Sequence, residues 1–163
     1  LMFQVQFWDG QTISYAYCLG TADPGRLDAL ARRLADLRIS ILTTAPADCP
    51  LPPAAALMAA GVNLCLGSDG VRDSWTPFGT GDMLERAMLL AYRFDWGRDA
   101  QLDAALAACT ANGATALGVP DYGLVPGAFA DFVLVGAECV GDAIMRRPRE
   151  RLVGFRGRIV AGG

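Results

Sequence analysis

Leu66-Gly67-Ser68-Asp69-Gly70-Val71-Arg72-Asp73-Ser74-Trp75-Thr76-Pro77-Phe78-Gly79 is the stretch that decides how this chain folds. Val62 to Leu66, just before and into it, is a short apolar run of the kind found in strands covered on both faces, and Gly67 ends it. A carboxylate, Asp69, follows at once. Behind it comes a Gly-rich loop holding Arg72, Asp73 and Trp75, and a helical pattern begins near Gly81. In parallel α/β proteins, functional side chains gather where strands run out at their C-terminal ends. Asp69 stands in such a place.

Working outward, the flanks show strands and helices in alternation. Phe3 to Trp8 alternates apolar and polar residues and meets Asp9-Gly10, a strong hairpin signal, after which Thr12 to Tyr17 is a second β-rich run. Pro24 to Leu37 carries Leu27, Leu30, Ala31 and Leu34 at helical spacing, with Asp23 as N-cap and Pro24 at the first helical position. Ile39 to Thr44 is a β-branched run stopped by Ala45-Pro46. Ala54 to Ala60 predicts a helix closed by Gly61. Downstream of the central loop, helices are expected over Asp82 to Phe94 and from about Ala100 to Asn112. After Pro120 to Gly127, a segment full of turn residues, the pattern predicts a strand over Ala130 to Val135, a short helix over Cys139 to Met145, and a closing hairpin from Leu152 to Ala161.

Composition limits the chemistry. In 163 residues, 53% hydrophobic and 19% charged content describes a folded globular chain. A net charge of -3 with no basic stripe argues against nucleic acid. No apolar run approaches the roughly 18 residues of a membrane span, and a cytoplasmic protein is expected. There is no His, and every basic residue is Arg. That removes the commonest metal ligand and the usual general base near neutral pH. Cys18, Cys49, Cys65, Cys109 and Cys139 are widely spaced with no C-x-x-C pair, so they read as reduced thiols and not as a zinc or redox site.

Several motifs, taken in order, resemble the cytosine deaminase branch of the amidohydrolase superfamily. They are Ser14-Tyr15-Ala16-Tyr17, Ile41-Leu42-Thr43-Thr44-Ala45-Pro46, the Gly67 to Gly79 segment, Thr110-x-Asn112-Gly113-Ala114, and Gly123-x-x-Pro126-Gly127-x-x-Ala130-Asp131-Phe132-Val133-Leu134. The resemblance implies an α/β fold: a partial TIM barrel made of the last three βα units, mainly parallel, plus C-terminal β elements of the family's small sandwich. Its divisions would be an N-terminal strand or hairpin at 1–11, a partial barrel at 12–118 and a small β-subdomain at 119–163.

The same resemblance implies site residues. Asp69 matches the strand-eight Asp that binds the metal, Zn or Fe, and moves the proton of the attacking water. Trp75 matches an aromatic wall of the substrate pocket, which suits a small flat heterocycle. Tyr15 stands where the family has a strand-six His. A phenol can donate a hydrogen bond, but with a reference pKa of about 10 it replaces imidazole poorly as a base. Gly70 stands where many relatives carry a second Asp. The family's other His ligands belong to a half outside this sequence, and one carboxylate does not hold a catalytic metal that needs about three protein ligands. The expectation is a C-terminal portion of a deaminase that binds no metal and is inactive alone, and that associates with itself or with a missing N-terminal half. The alternative is a non-catalytic α/β module acting through association. For Asp69, helix capping or loop fixing is the structural alternative; for Trp75, packing on Pro77 and Phe78; for Arg72 and Asp73, mutual pairing or turn capping.

Overall fold

The computed structural model describes residues 5–7 and 11–162. Four strands form the first sheet in the order β1 (Val5–Phe7), β2 (Gln11–Ser14), β3 (Ser40–Thr43) and β4 (Leu64–Leu66). β1 pairs antiparallel with β2, while β2, β3 and β4 run parallel. The antiparallel pairing is the expected hairpin; its Asp9-Gly10 turn lies outside the described residues. Helix α1 (Pro24–Asp36) connects β2 to β3 and α2 (Ala54–Ala59) connects β3 to β4, giving two consecutive βαβ units.

Local chemistry accounts for the boundaries. The Asp23 carboxylate accepts the backbone N–H groups of Gly25 (3.1 Å) and Arg26 (3.2 Å), with Pro24 opening α1. Gly61, at φ 85°, ends α2 and lets Val62 donate back to the Leu57 carbonyl at 2.9 Å. β4 is buried along its whole length, as its unbroken apolar sequence predicts.

Two boundaries differ from the sequence expectation. β2 stops at Ser14 and does not reach Tyr17, because Tyr15 (φ 71°) and Ala16 (φ 36°) turn into the left-handed region and a 3-10 turn, Tyr17–Thr21, follows. The helix expected from about Ala100 to Asn112 is divided into α4 (Asp99–Cys109) and α5 (Ala111–Ala116). At the break the Thr110 hydroxyl donates to the Leu106 carbonyl at 2.7 Å, and Asn112 reaches across to the Leu64 carbonyl at 2.9 Å. Side-chain bonding to the backbone competes there with a continuous helix.

The C-terminal part is a three-stranded antiparallel sheet of β5 (Phe132–Val135), β6 (Arg151–Phe155) and β7 (Arg158–Ala161). Gly154 lies opposite Phe132, and a Cβ there would come within 2.5 Å of the Phe132 ring, so any other residue would have to displace that ring. Helix α6 (Val140–Arg146) leads from β5 toward β6 and packs on α4 and on α3 (Met83–Arg93) through the fully buried Ile144. Arg151 on β6 donates to both oxygens of Asp82, the N-cap of α3, at 2.8 and 2.6 Å. This bidentate pair ties the small sheet to the α/β part and holds the Asp82 carboxyl below its ordinary range.

The core has two centres. Ile41, Leu57, Leu64, Leu34 and Ala31 pack β3 and β4 against α1 and α2. Leu90, Ala87, Leu102, Ala105, Ile144 and Leu66 form the other, among α3, α4 and α6. Phe94 and Trp96 lean on both. The molecule is therefore a mixed α/β fold with one mainly parallel and one antiparallel sheet. Among the described residues no helix is long and apolar enough to cross a membrane.

The thiols follow this burial. Cys65 and Cys109 are buried, and loss of hydration pushes them up to about 11 and about 12. Cys18 and Cys139 are exposed. With a chromogenic disulfide reagent at pH 8, Cys18 and Cys139 are expected to react at once and Cys65 and Cys109 only on unfolding. Fast native labelling of Cys65, read by peptide mass mapping, would contradict the packing of β4.

Candidate functional site

Register builds the site. Ser14, Leu42 and Cys65 are aligned across β2, β3 and β4, so the residues just past them emerge at one edge. The Tyr15 N–H donates to the Leu42 carbonyl (2.8 Å) and the Gly67 N–H to that of Thr43 (3.0 Å), extending the ladder to the strand ends. At this edge the Tyr15 hydroxyl donates to Asp69 Oδ2 at 2.8 Å. Two of the three sequence-predicted site residues, 54 positions apart, thus meet.

The backbone at this edge is unusual. Tyr15, Ala16, Ala45 and Asp69 all have left-handed φ, at 71°, 36°, 50° and 56°. Asp tolerates that region, whereas an aromatic residue there is a genuine outlier. Outliers of this kind persist only where surroundings hold them, and they gather at functional sites. Some of the supports are visible. Thr43, fully buried, accepts the Ala45 N–H at 3.2 Å. Arg86 on α3 reaches back to the carbonyls of Gly67 (3.4 Å) and Ser68, fixing the segment that delivers Asp69. At the other edge of the sheet, where β3 and β4 begin, Asn63 links Ser40 (2.9 Å) to the Asn112 carbonyl (3.0 Å).

The Tyr15 phenol is raised to about 12, first by its hydrogen bond to Asp69, then by burial and by the Asp69 charge. It is a proton donor at neutral pH, never a base. Tyr17 lies beside it, ring centroids 5.6 Å apart, and is also raised, mainly by burial, with the Thr44 side chain acting in the opposite sense.

The loop after Asp69 is shaped by Asp73. Its carboxylate accepts the N–H groups of Trp75 and Thr76, both at 2.9 Å, and those bonds, Thr76 first, hold it below the usual carboxylate range. Asp73 is a turn-former, and Arg72 makes no ion pair with it among the described residues. A Cβ on Gly70 would lie 1.7 Å from an Asp73 oxygen. A side chain at position 70, a second Asp included, would therefore displace the Asp73 carboxylate from the turn it caps. Trp75 is 93% and Phe78 78% exposed, so the Trp75 ring is not buried by packing on its loop neighbours.

Among the described residues no three His, Cys, Asp or Glu side chains are grouped to hold a metal ion. Asp69 is a sound single ligand, but its Oδ2 is already engaged by Tyr15, and the donor set the described residues offer does not fit a catalytic metal by itself.

A family model described as "Amidohydrolase family" matches residues 5–161. The chain belongs to the amidohydrolase family. It is 31% identical over 150 residues to N-isopropylammelide isopropyl amidohydrolase of Pseudomonas sp. (strain ADP), an alignment covering 91% of this chain and 37% of that protein. The crystal structure of N-isopropylammelide isopropylaminohydrolase from Burkholderia multivorans superposes with a TM-score of 0.90 at 51% identity, over 92% of this chain and 38% of that one. 5-Methylcytosine deaminase from Klebsiella pneumoniae, liganded with 5-fluorocytosine, shares the fold with a TM-score of 0.82 at 24% identity, over 93% of this chain and 40% of that one. The cytosine deaminase-like family resemblance is thus borne out. This amidohydrolase chain spans little more than a third of the length of the relatives it matches.

Sequence reasoning found Asp69 and Tyr15 but missed Arg86, which lies within the α3 pattern with nothing to mark it as reaching back to a strand end. Asn112 stands in the Thr110-x-Asn112-Gly113-Ala114 motif, although its partners on β4 and at Asn63 are set by tertiary packing.

Proposed function

We propose that this amidohydrolase chain carries the C-terminal portion of a metal-dependent, cytosine deaminase-like enzyme that hydrolytically removes an amino group from a nitrogen heterocycle, and that it is incompetent alone. In this reading β2, β3 and β4 are the last three parallel strands of a barrel within 12–118, and 119–163 is the small β-subdomain. The observation that carries it is the Tyr15–Asp69 pair, held in left-handed backbone at the C-terminal edge of three parallel strands.

This chain's share of the work is positional. Asp69 supplies a carboxylate whose Oδ2 is engaged, so its other oxygen is the one left for a further ligand or proton. Tyr15 keeps its proton and orients that carboxylate. Trp75 offers a flat, uncovered face suited to stacking on a heterocycle. The remaining metal ligands come from a segment outside this sequence, and no step of the chemistry is completed by these residues alone.

The test is elemental analysis of the purified chain together with amine release from N-isopropylammelide and ammonia release from cytosine. No stoichiometric metal and no turnover are expected. Co-expression with the part of the Burkholderia enzyme that this chain does not match is expected to restore stoichiometric metal. Tight metal with turnover in the chain alone would overturn the proposal.

A further inference from the structure

A groove of about 440 Å³ lies between the start of α2 and the end of α3, lined by Leu51, Pro53, Ala54, Ala55, Arg93, Phe94 and Trp96. Neither Tyr15 nor Asp69 contributes to it. It is open to solvent and has an apolar wall with a single cationic group. Phe94 and Trp96 form the wall as a stacked pair, ring centroids 5.3 Å apart and planes 27° from parallel. Ala54 and Ala55 leave the opposite side open.

Arg93 is the informative residue. One of its terminal nitrogens donates to the Cys49 carbonyl at 2.9 Å. Its Nε–H is buried and has no hydrogen-bond partner among the described residues. No carboxylate pairs with it among those residues either. That Nε has no accessible surface and is not open to a ligand, but the guanidinium lines the groove without a counter-charge, and a ligand carrying an anionic acceptor would supply one at its terminal nitrogens. The stacked aromatic wall specifies the rest of that ligand as flat and apolar.

We propose that this groove binds a small aromatic carboxylate, its ring against Phe94 and Trp96 and its carboxylate on Arg93. The site is independent of the role assigned to Asp69.

Benzoate and its neutral isostere benzamide, titrated by calorimetry and by the Trp96 indole N–H resonance, test it. Benzoate is expected to bind in the millimolar range or tighter, and benzamide at least about tenfold more weakly, since the charge-assisted contact is lost. Arg93→Gln should remove the preference for benzoate. Because Arg93 also holds the Cys49 carbonyl, Ala55→Phe is the second variant: position 55 is exposed on α2, so the added ring should fill the groove, abolish benzoate binding and leave the thermal midpoint unchanged. Equal affinity for the two probes, benzoate binding that survives Ala55→Phe, or a groove closed by a second copy of the chain, seen as a dimer that Ala55→Phe dissociates, would overturn the proposal.

Discussion

Leu90→Ala is expected to lower the unfolding free energy of this chain by about 3 kcal/mol. Leu90 has no exposed surface and lies where α3 meets α4 and α6, against Ala87, Ala91, Leu102, Ala105 and Ile144. Much of that surround is Ala, Ala87 and Ala91 on α3 itself and Ala105 on α4, so few side chains can swing into the space a truncated Leu leaves. The void should persist, which places the cost well above the transfer term alone. The neighbouring Tyr92 is 83% exposed, and Tyr92→Ala is expected to change stability by no more than about 0.5 kcal/mol. Urea unfolding of both variants, with unchanged denaturant dependence, makes the comparison. A loss below about 1 kcal/mol for Leu90→Ala would mean that α3, α4 and α6 do not form a fixed core.

That core also bears on the site. α3 begins at Asp82, which Arg151 grips from the small sheet, and one turn later presents Arg86 to the carbonyls before Asp69. The C-terminal sheet, the helical layer and the end of β4 are therefore mechanically continuous. Loosening the Leu90 contacts should reach Asp69 through Arg86 without any change in the loop itself.

What could be read in the residues was whatever local chemistry decides. Asp23-Pro24 starts α1, Gly61 ends α2, and the unbroken apolar run of β4 announces a strand buried on both faces. Asp69 was recognisable because it follows such a strand at once. What escaped was set at a distance. Nothing local makes Tyr15 leave β2; its φ of 71° is held by the parallel register with β3 and by its bond to Asp69. The division of α4 from α5 depends on Asn112 finding Leu64 on β4, and Gly70 is explained only by Asp73 folding back over it. The Asp73 carboxylate, which its sequence neighbours leave equally able to pair with Arg72, caps two backbone N–H groups of its own loop.

Asp69→Asn is expected to bring the Tyr15 phenol down from about 12 toward its ordinary value of about 10, by at least one unit, or tenfold in acid dissociation constant. The hydrogen bond to an ionised acceptor is the largest cause of the rise, and an amide oxygen accepts more weakly and carries no charge. Burial survives the substitution, so the midpoint should remain somewhat above 10. Tyr17 is an internal control, because burial dominates its rise and Asp69 contributes little; it should barely move. Carbon-13 spectra of ring-labelled tyrosine, with Tyr15→Phe to assign the resonance, give both midpoints. The sign for stability follows from the raised value. The folded chain holds this proton more tightly than the unfolded one, so the contribution is complete below pH 10 and is lost as pH rises through about 12. At neutral pH Tyr15 is then a fixed donor that occupies one carboxylate oxygen and cannot accept a proton from water. An unmoved Tyr15 midpoint in Asp69→Asn would separate the two side chains in solution and remove the one contact that defines the site.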